Sequence, residues 1–436
     1  MKETIDYILN FLLGFPKSNA ICNTIGYTAD SNNFPNYKVV IVPSAFFSKS
    51  VFGKPSSMPQ LPLAEIEGTP ILFGLPIIEK QDETFICHAD FVASTFFLIS
   101  RYEELIVNER DTHNRFAGAT SLLGRAGLLQ RPIVDEYGKI LRNLLRQSGV
   151  DLPEETTSFS GMYLTHDVDS IAQYRTLRGF CGGIYRSLPD FNKIKKVLAA
   201  TRCLENDPFY TFSWLLEQDR KVPFSQSVFF FKAGKSKNKF DKPCYNLQSK
   251  DAQQLLNFCN SNRCQIGLHT SYYSGSHPQV ILSEKRRLRR TIKQNVVFNR
   301  YHYLRSCSPD DMQTLADIGI TDDFTMGFAD TIGFRLGTCR PVQFINPKTM
   351  KLTHLTLHPL SVMECTLLEK RYMNLSYSRA MFNIKQLLNE IFKHNGEVVL
   401  LWHNTSVSNE TKNVYGNLYK KTLKHINKLI LSDEVC

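Results

Sequence analysis

The chain has 436 residues, of which 42% are hydrophobic and 21% are charged. This composition is typical of a soluble globular protein with two or three domains, and no stretch approaches the roughly 20 apolar residues that a membrane-spanning helix needs. The net charge is +11, but the densest basic run, residues 285–290, lacks the aromatic or glycine-rich interleaving of a nucleic-acid contact, so we expect no nucleic-acid partner.

The first residues and the cysteines predict a cytoplasmic protein. Acidic Glu3 and Asp6 occupy positions where a secretory signal carries basic residues, and residues 7–15 predict a short amphipathic helix that ends at Gly14 and Pro16. The 11 cysteines are scattered and include no Cys-x-x-Cys pair. We therefore expect reduced thiols rather than a disulfide framework or a zinc ribbon.

Residues 1–155 are predicted to form a mixed α/β domain. Residues 37–42 have the pattern of a strand, 90–101 of a mostly buried helix, and 133–148 of a second helix. The polar stretch 153–158 is the best candidate for a linker. The sequence does not indicate a function for this domain.

Strands and helices alternate in the remainder of the chain, residues 156–436. The predicted strands are 162–166, 224–232, 265–269 and 397–402, with a short strand or loop at 298–304. The predicted helices are 249–260, 281–294, 415–431 and one that begins at Ser308. This alternation favours a parallel sheet closed into a barrel, with the chemistry carried by the loops that follow the strands.

Ionisable side chains follow these strands. Asp167 and Asp169 end the first one, and residues two apart in a strand point to the same side. Two carboxylates so close repel each other unless a cation lies beside them, which suggests a metal site. The other strands lead into His269, Arg300, His302 and His403, and a further short strand predicted at residues 320–321 leads into Asp323. Chance could give one or two such strands, whereas five predict a site.

The order of these motifs resembles the polysaccharide deacetylase family, also called the NodB homology domain. The segments that carry the resemblance are Thr165–Asp169, Gly267–Ser271, Asn299–His302, Asp323–Arg335 and Leu400–Asn404. With the upstream segment Phe96–Glu104 included, the whole chain looks like a bacterial subgroup with an uncharacterised N-terminal domain, associated with surface-polysaccharide biosynthesis.

The resemblance implies a distorted (β/α) barrel at 156–436, preceded by a smaller mixed α/β domain at 1–155. It also implies removal of acetyl groups from nitrogen or oxygen of a carbohydrate with a divalent metal, zinc or else cobalt, nickel, manganese or iron. The substrate could be anionic, or linked to a nucleotide or a lipid. The sugar and the oligomeric state stay open.

The resemblance also assigns roles to single residues. Asp167 would be the general base, Asp169 and His269 metal ligands, Arg300 the partner that orients the base, and His403 the general acid.

One position departs from the family pattern. The second motif usually has another histidine where this chain has Tyr273. His302 could supply the third ligand or bond to substrate or core instead; otherwise water and substrate would complete a site with two protein ligands. We expect the substrate to contact Arg335, Asp323, Tyr273 and His358.

A function of another class is also compatible with the missing histidine. The chain could be a catalytically degenerate glycan-binding or scaffolding protein on the same fold. Bound metal and acetate release distinguish the two hypotheses.

Overall fold

The computed structural model describes residues 1–14, 19–235, 237–408 and 412–433. Phe15 and Pro16, at the predicted end of the first helix, lie outside them. The strands in these residues are β1 (Ile25–Tyr27), β2 (Val39–Ile41), β3 (Ala64–Ile66), β4 (Thr69–Ile71), β5 (Gly74–Gln81), β6 (Thr84–Ala89), β7 (Gly161–Val168), β8 (Gln226–Lys232), β9 (Gln265–Thr270), β10 (Phe298–Tyr301), β11 (Asp322–Met326), β12 (Val342–Asn346), β13 (Lys351–Pro359), β14 (Val362–Met363) and β15 (Glu397–Leu401). The α-helices are α1 (Lys2–Leu13), α2 (Asn19–Cys22), α3 (Phe91–Ile99), α4 (Glu103–Ile106), α5 (Leu122–Arg125), α6 (Ile133–Gln147), α7 (Leu177–Ser187), α8 (Phe191–Arg202), α9 (Phe212–Asp219), α10 (Lys250–Ser261), α11 (Ile281–Ile292), α12 (Asp310–Asp317), α13 (Glu364–Leu368), α14 (Tyr377–Lys393) and α15 (Asn417–Asp433).

A nine-stranded sheet forms the centre of the second part of the chain. Its strand order is β12-β13-β11-β10-β9-β8-β7-β15-β14, and every neighbouring pair is parallel except β12 with β13. The segment between β13 and β14 joins distant strands, because Leu360 N–H donates to Met326 of β11 and Ser361 N–H donates to Val399 of β15, each at 3.0 Å. The protein is therefore a mixed α/β fold whose parallel-rich sheet curls toward a barrel.

The N-terminal part has a four-stranded sheet of order β1-β2-β6-β5 and a β3–β4 hairpin. The predicted helix 90–101 is α3, and its residues are all buried. One hydrophobic cluster includes Phe97 and Leu141 from this part together with Leu288 and Leu355 from the second part. Because the core is continuous across residue 155, the division of the chain at that point stays a prediction.

Most predicted elements exist within a few residues of their expected limits, but the strand near Asp323 differs, and several elements, such as α14, β12 and β13, were not predicted. Residues 320–321 were expected to be a strand that ends before Asp323, whereas β11 begins at Asp322 and contains Asp323. The helical hairpin of α7 and α8 was not expected, since three glycines in α7 weaken its helix propensity. No helix of the described ranges is long and apolar enough to cross a membrane.

Candidate active site

Neighbouring parallel strands bring the predicted polar residues to one edge of the sheet. His269 on β9 lies in register with Arg300 on β10 and with Lys232 on β8. Thr165 on β7 lies in register with Leu401 on β15, just before His403. Since parallel strands end at the same edge, the residues that follow β7, β9, β10 and β15 meet there.

Asp169, His269 and His302 form a group that could hold a metal ion. One carboxylate oxygen of Asp169, Oδ1, lies 3.3 Å from Nε2 of His269 and 3.1 Å from Nε2 of His302. The candidate ligand atoms of the three side chains all lie within 4.8 Å of one another. Asp169 Oδ1 and His269 Nε2 are buried and have no hydrogen-bond partner among the described residues. Buried polar atoms normally have a partner, so this donor set fits a cation.

The Nδ1 atoms of His269 and His302 face oxygen atoms, which favours metal binding through Nε2. His269 Nδ1 lies 3.0 Å from the carbonyl oxygen of Arg300, which accepts its proton and leaves Nε2 free to bind a cation. His302 Nδ1 faces Asp241 Oδ1 at 3.5 Å. The carboxylate of Asp241 accepts backbone N–H groups of Tyr272 at 2.7 Å and Tyr273 at 3.2 Å, which fixes its position.

The electrostatics of Asp169 fit a ligand that stays ionised. Burial opposes ionisation, but the charge of His302 and the close approach of the His302 and His269 imidazoles hold the pKa of this carboxyl well below its usual value. Burial likewise opposes protonation of His302, but the charge of Asp169 and the nearby carboxylate of Asp241 raise its pKa.

Asp167 is held by a buried arginine. Arg300 Nη1 donates to Asp167 Oδ1 at 3.1 Å and to Thr165 Oγ1 at 2.6 Å, and its Nε donates to the carbonyl oxygen of Phe324 at 3.0 Å. The guanidinium also lies over the ring of Phe230, 4.7 Å from its centre. Because the guanidinium is fixed on three sides, it orients the Asp167 carboxylate, whose other oxygen lies 3.5 Å from His269 Nε2.

His403 lies on the other side of the carboxylate pair. Its Nε2 is 3.9 Å from Asp167 Oδ2 and 3.8 Å from Asp169 Oδ2. Its Nδ1 is 2.8 Å from Glu364 Oε1, and this oxygen also accepts the His403 backbone N–H and the Ser406 hydroxyl. Burial opposes protonation, but the Glu364 charge raises the pKa of His403 well above its usual value. With Nδ1 held by Glu364, Nε2 of His403 faces the carboxylates of Asp167 and Asp169.

A cleft of about 500 Å³ opens at these residues. Its walls include Asp167, Asp169, His302 and His403. The lining also includes several cationic and aromatic side chains: Arg115, Lys232, Lys242, Arg371, Phe209, Phe240, Tyr303, Tyr372 and Tyr415. Arg115 belongs to the N-terminal part and donates to the carbonyl oxygen of Tyr303 at 2.9 Å, so this part of the chain contributes to one wall.

The structure does not bring Arg335 and Asp323 to the cleft. The guanidinium of Arg335 is buried and pairs with Glu104 at 2.8 Å, because the N-terminal part supplies a buried carboxylate that needs a counter-charge. Asp323 is fully buried within β11, where it accepts hydrogen bonds from Asn299 at 2.8 Å and from the Thr325 hydroxyl at 2.8 Å. Neither side chain can reach a substrate there.

His358 and Tyr273 also lie outside the cleft lining. His358 is buried on β13 between Asp322 at 3.0 Å and Glu397 at 2.7 Å, so its ring is committed to linking strands. The ring of Tyr273 stacks on His277 with 3.9 Å between centres. Tyr273, which stands where the resembled family has its second histidine, is thus not part of the cleft lining, and His302 lies beside His269 instead.

Several residues of the site were not predicted, among them Lys232, Glu364 and Asp241. Lys232 ends β8 and could have been found by the criterion applied to the other strands. Glu364 follows a strand of only two residues, and Asp241 lies in a short 3-10 helix, so neither has a recognisable signal. The Lys232 ammonium donates to the carbonyl oxygen of Pro243 at 2.8 Å.

Comparison with known proteins gives distant similarities. Residues 3–149 match the model of a family described as of unknown function (DUF7033). No curated protein matches the chain. A Mycobacterium smegmatis protein described as a polysaccharide deacetylase has 13% sequence identity and a TM-score of 0.39, over 64% of this chain and 86% of its own. Puue allantoinase has 9% identity and a TM-score of 0.39, over 64% of this chain and 92% of its own. Similarity this low carries no information about any reaction that this chain catalyses or about its ligands.

Proposed function

We propose that this chain is a metal-dependent hydrolase that removes acetyl groups from an acetylated sugar or glycan, with a role in surface-polysaccharide metabolism. The observation that carries the proposal is the pair of buried, unpartnered ligand atoms, Asp169 Oδ1 and His269 Nε2, beside which His302 lies just after the neighbouring strand β10. Two imidazoles and one carboxylate suit zinc and its neighbours cobalt and nickel, whereas magnesium and calcium prefer oxygen ligands. The carbohydrate rests on the motif resemblance and on a cleft rich in aromatic rings.

The side chains around Asp169, His269 and His302 have different roles in the proposed hydrolysis. A divalent ion held by Asp169, His269 and His302 would polarise the acyl carbonyl and make a water a stronger nucleophile at neutral pH. Asp167 accepts the proton of the attacking water through a carboxylate oxygen, while Arg300 fixes the carboxylate in position. His403 donates the proton on Nε2 to the departing amine or alkoxide, so that the sugar leaves as a neutral group.

The partners of His403 suit the role of an acid. A neutral imidazole has one N–H, and only a protonated ring carries protons on both nitrogens. Glu364 stabilises that protonated form through Nδ1, so the proton on Nε2 faces the carboxylate pair. After donation the ring is neutral, and Glu364 still holds its orientation.

The proposal is tested by acetate release from N-acetylated amino-sugar oligomers and from an O-acetylated sugar ester. We expect turnover that a chelator abolishes and added zinc restores. Asp167→Asn should reduce acetate release by at least about a hundredfold while bound zinc is retained, because it removes the base and leaves the ligands. Asp169→Asn should lose both zinc and activity.

The control variant is Asp322→Asn, which removes a carboxylate remote from the cleft and should retain zinc and activity. Equal loss of zinc in the Asp167 and Asp169 variants would contradict the separation of base and ligand. A folded protein that binds acetylated glycans without metal or turnover would instead support the glycan-binding alternative.

A further inference from the structure

An apolar surface is exposed on the hairpin of α7 and α8. Leu177 is 83% exposed, Tyr185 77%, Leu188 60% and Phe191 78%. Leu198 is exposed as well, at 39%. Large apolar side chains are common singly on protein surfaces, but a group within one short hairpin marks an interaction site.

The exposed residues of each helix share a face. In α7 and at the residue that follows it, Leu177, Cys181, Ile184 and Leu188 recur at helical spacing, and Cys181 and Leu188 are exposed while Ile184 is half-buried. The inner face of the hairpin is made of smaller residues, and its buried members are Gly183, Ser187, Val197 and Ala200. The larger apolar groups thus point away from the protein.

Basic residues border this apolar face. The hairpin has only one acid, Asp190, which pairs with Lys193 at 3.6 Å. Its cations are Arg178, Arg186, Lys193, Lys195, Lys196 and Arg202. All six are exposed.

We propose that this hairpin docks the protein on an anionic lipid surface. The apolar side chains would enter the boundary between headgroups and acyl chains, while the cations pair with lipid phosphates. A second copy of this chain is a poorer occupant, because a symmetric contact would bring the two sets of six cations together. An anionic lipid surface satisfies both the apolar and the cationic residues.

The hairpin also adjoins the catalytic cleft. A second cavity, of about 340 Å³, shares Ser170, Phe209 and Pro243 with the cleft and extends to Thr176, the residue that caps α7. If the proposed hydrolase function holds, a sugar carried on a membrane lipid could reach the site while the hairpin contacts the membrane. The docking itself does not depend on that reaction.

The test is flotation of the full chain with lipid vesicles. We expect the protein to float with vesicles of equal parts phosphatidylcholine and phosphatidylglycerol, and to bind vesicles of phosphatidylcholine alone far more weakly. Binding should weaken as salt is raised, because the cations contribute part of it. Acetate release, measured separately without vesicles, keeps a failure of docking distinguishable from a failure of the hydrolase proposal.

Two sets of variants probe the two contributions. Removal of three exposed apolar groups should weaken binding by at least about a hundredfold. That variant carries Leu177→Ser, Leu188→Ser and Phe191→Ser. Neutralisation of three cations should also weaken vesicle binding on the order of a hundredfold, because each cation contributes about fivefold to the affinity. That variant carries Arg178→Gln, Arg186→Gln and Lys195→Gln.

Each variant has a control with the same chemistry elsewhere on the surface, which should bind as the parent does. The apolar control alters exposed residues of β5 and of the loop before β8, with the substitutions Leu75→Ser, Ile77→Ser and Phe224→Ser. The charge control alters exposed residues of the basic helix α11, with the substitutions Arg286→Gln, Arg289→Gln and Arg290→Gln.

Three outcomes would overturn the proposal. The first is flotation that is no greater with the anionic vesicles than with the neutral ones. The second is a control that loses binding as strongly as the matching hairpin variant. The third is a dimer, seen by light scattering, that the apolar hairpin variant dissociates, because the face would then be covered by a second copy. Equal thermal unfolding of all variants ensures that lost binding is not lost folding.

Discussion

Replacing His302 should weaken zinc binding sharply. Its Nε2 lies 3.1 Å from Asp169 Oδ1, and its ring lies 4.9 Å from that of His269, so it can serve as the third protein ligand. Substitution of an outer-shell partner commonly costs tenfold to hundredfold in metal affinity. Loss of one of three ligands should cost more than that, so for His302→Phe we expect at least about a hundredfold, or about 3 kcal/mol of binding free energy.

The assay is a competition titration of zinc against a chromophoric chelator, with His277→Phe as the matched control. His277 lies in the loop where the family pattern has its second histidine, but its ring stacks on Tyr273 and its Nδ1 contacts the carbonyl oxygen of that residue. The zinc affinity of Asp241→Asn should lie between those of the parent and of His302→Phe, since this substitution alters only a partner of His302 and leaves the ligands in place. If His302→Phe kept parental affinity while His277→Phe lost it, the reasoning from strand ends would be refuted.

Three other substitutions have defined outcomes. Glu364→Gln should lower kcat for acetate release by about tenfold to hundredfold with little change in KM or zinc content, because it removes the charge that keeps His403 protonated and oriented. The pKa of His358 is about 9, above its usual value near 6.5, because hydrogen bonds to two carboxylates outweigh the effect of burial. The raised pKa stabilises the folded protein by about 3 kcal/mol below about pH 6.5, and this stabilisation is lost as the pH rises through about 9. Urea unfolding at about pH 6.5 and at about pH 9 should therefore show the loss in the parent protein and not in His358→Gln. Arg335→Met should lower the free energy of unfolding by about 3 kcal/mol and leave zinc affinity unchanged, because it removes one of two cations that pair with the buried Glu104. A variant with parental stability but weakened zinc binding would mean that this arginine acts at the site.

The positions of the central side chains could be predicted from the sequence. His269 and His403 each follow an apolar run, and Asp167 and Asp169 stand two apart at the end of another. Parallel neighbours end at the same edge of a sheet, so these groups converge whatever the connecting loops do. The order of strands along the chain was sufficient, without knowledge of distances.

The positions of other groups depend on contacts that no local pattern encodes. Arg335 meets Glu104, which is 231 residues away along the chain. His358 alternates with apolar residues on β13 as any strand residue would, and its two carboxylate partners come from different strands. Glu364 follows only two strand residues, too few for a periodicity to be recognised. In each case the deciding information is which strand lies beside which.

The histidine missing from the second motif shows why position in the fold matters more than spacing in the sequence. A metal ion requires lone pairs at suitable distances, and it does not require that two imidazoles come from one segment. β10 is hydrogen-bonded to β9 with His269 opposite Arg300, so a histidine two residues after Arg300 comes close to the ring of His269. Residues two apart at the end of a strand also tend to share a side, which lets Arg300 contact Asp167 while His302 contacts Asp169. A pattern that demands two histidines four residues apart would therefore reject this chain, whereas the adjacency of its strands brings three candidate ligand side chains together.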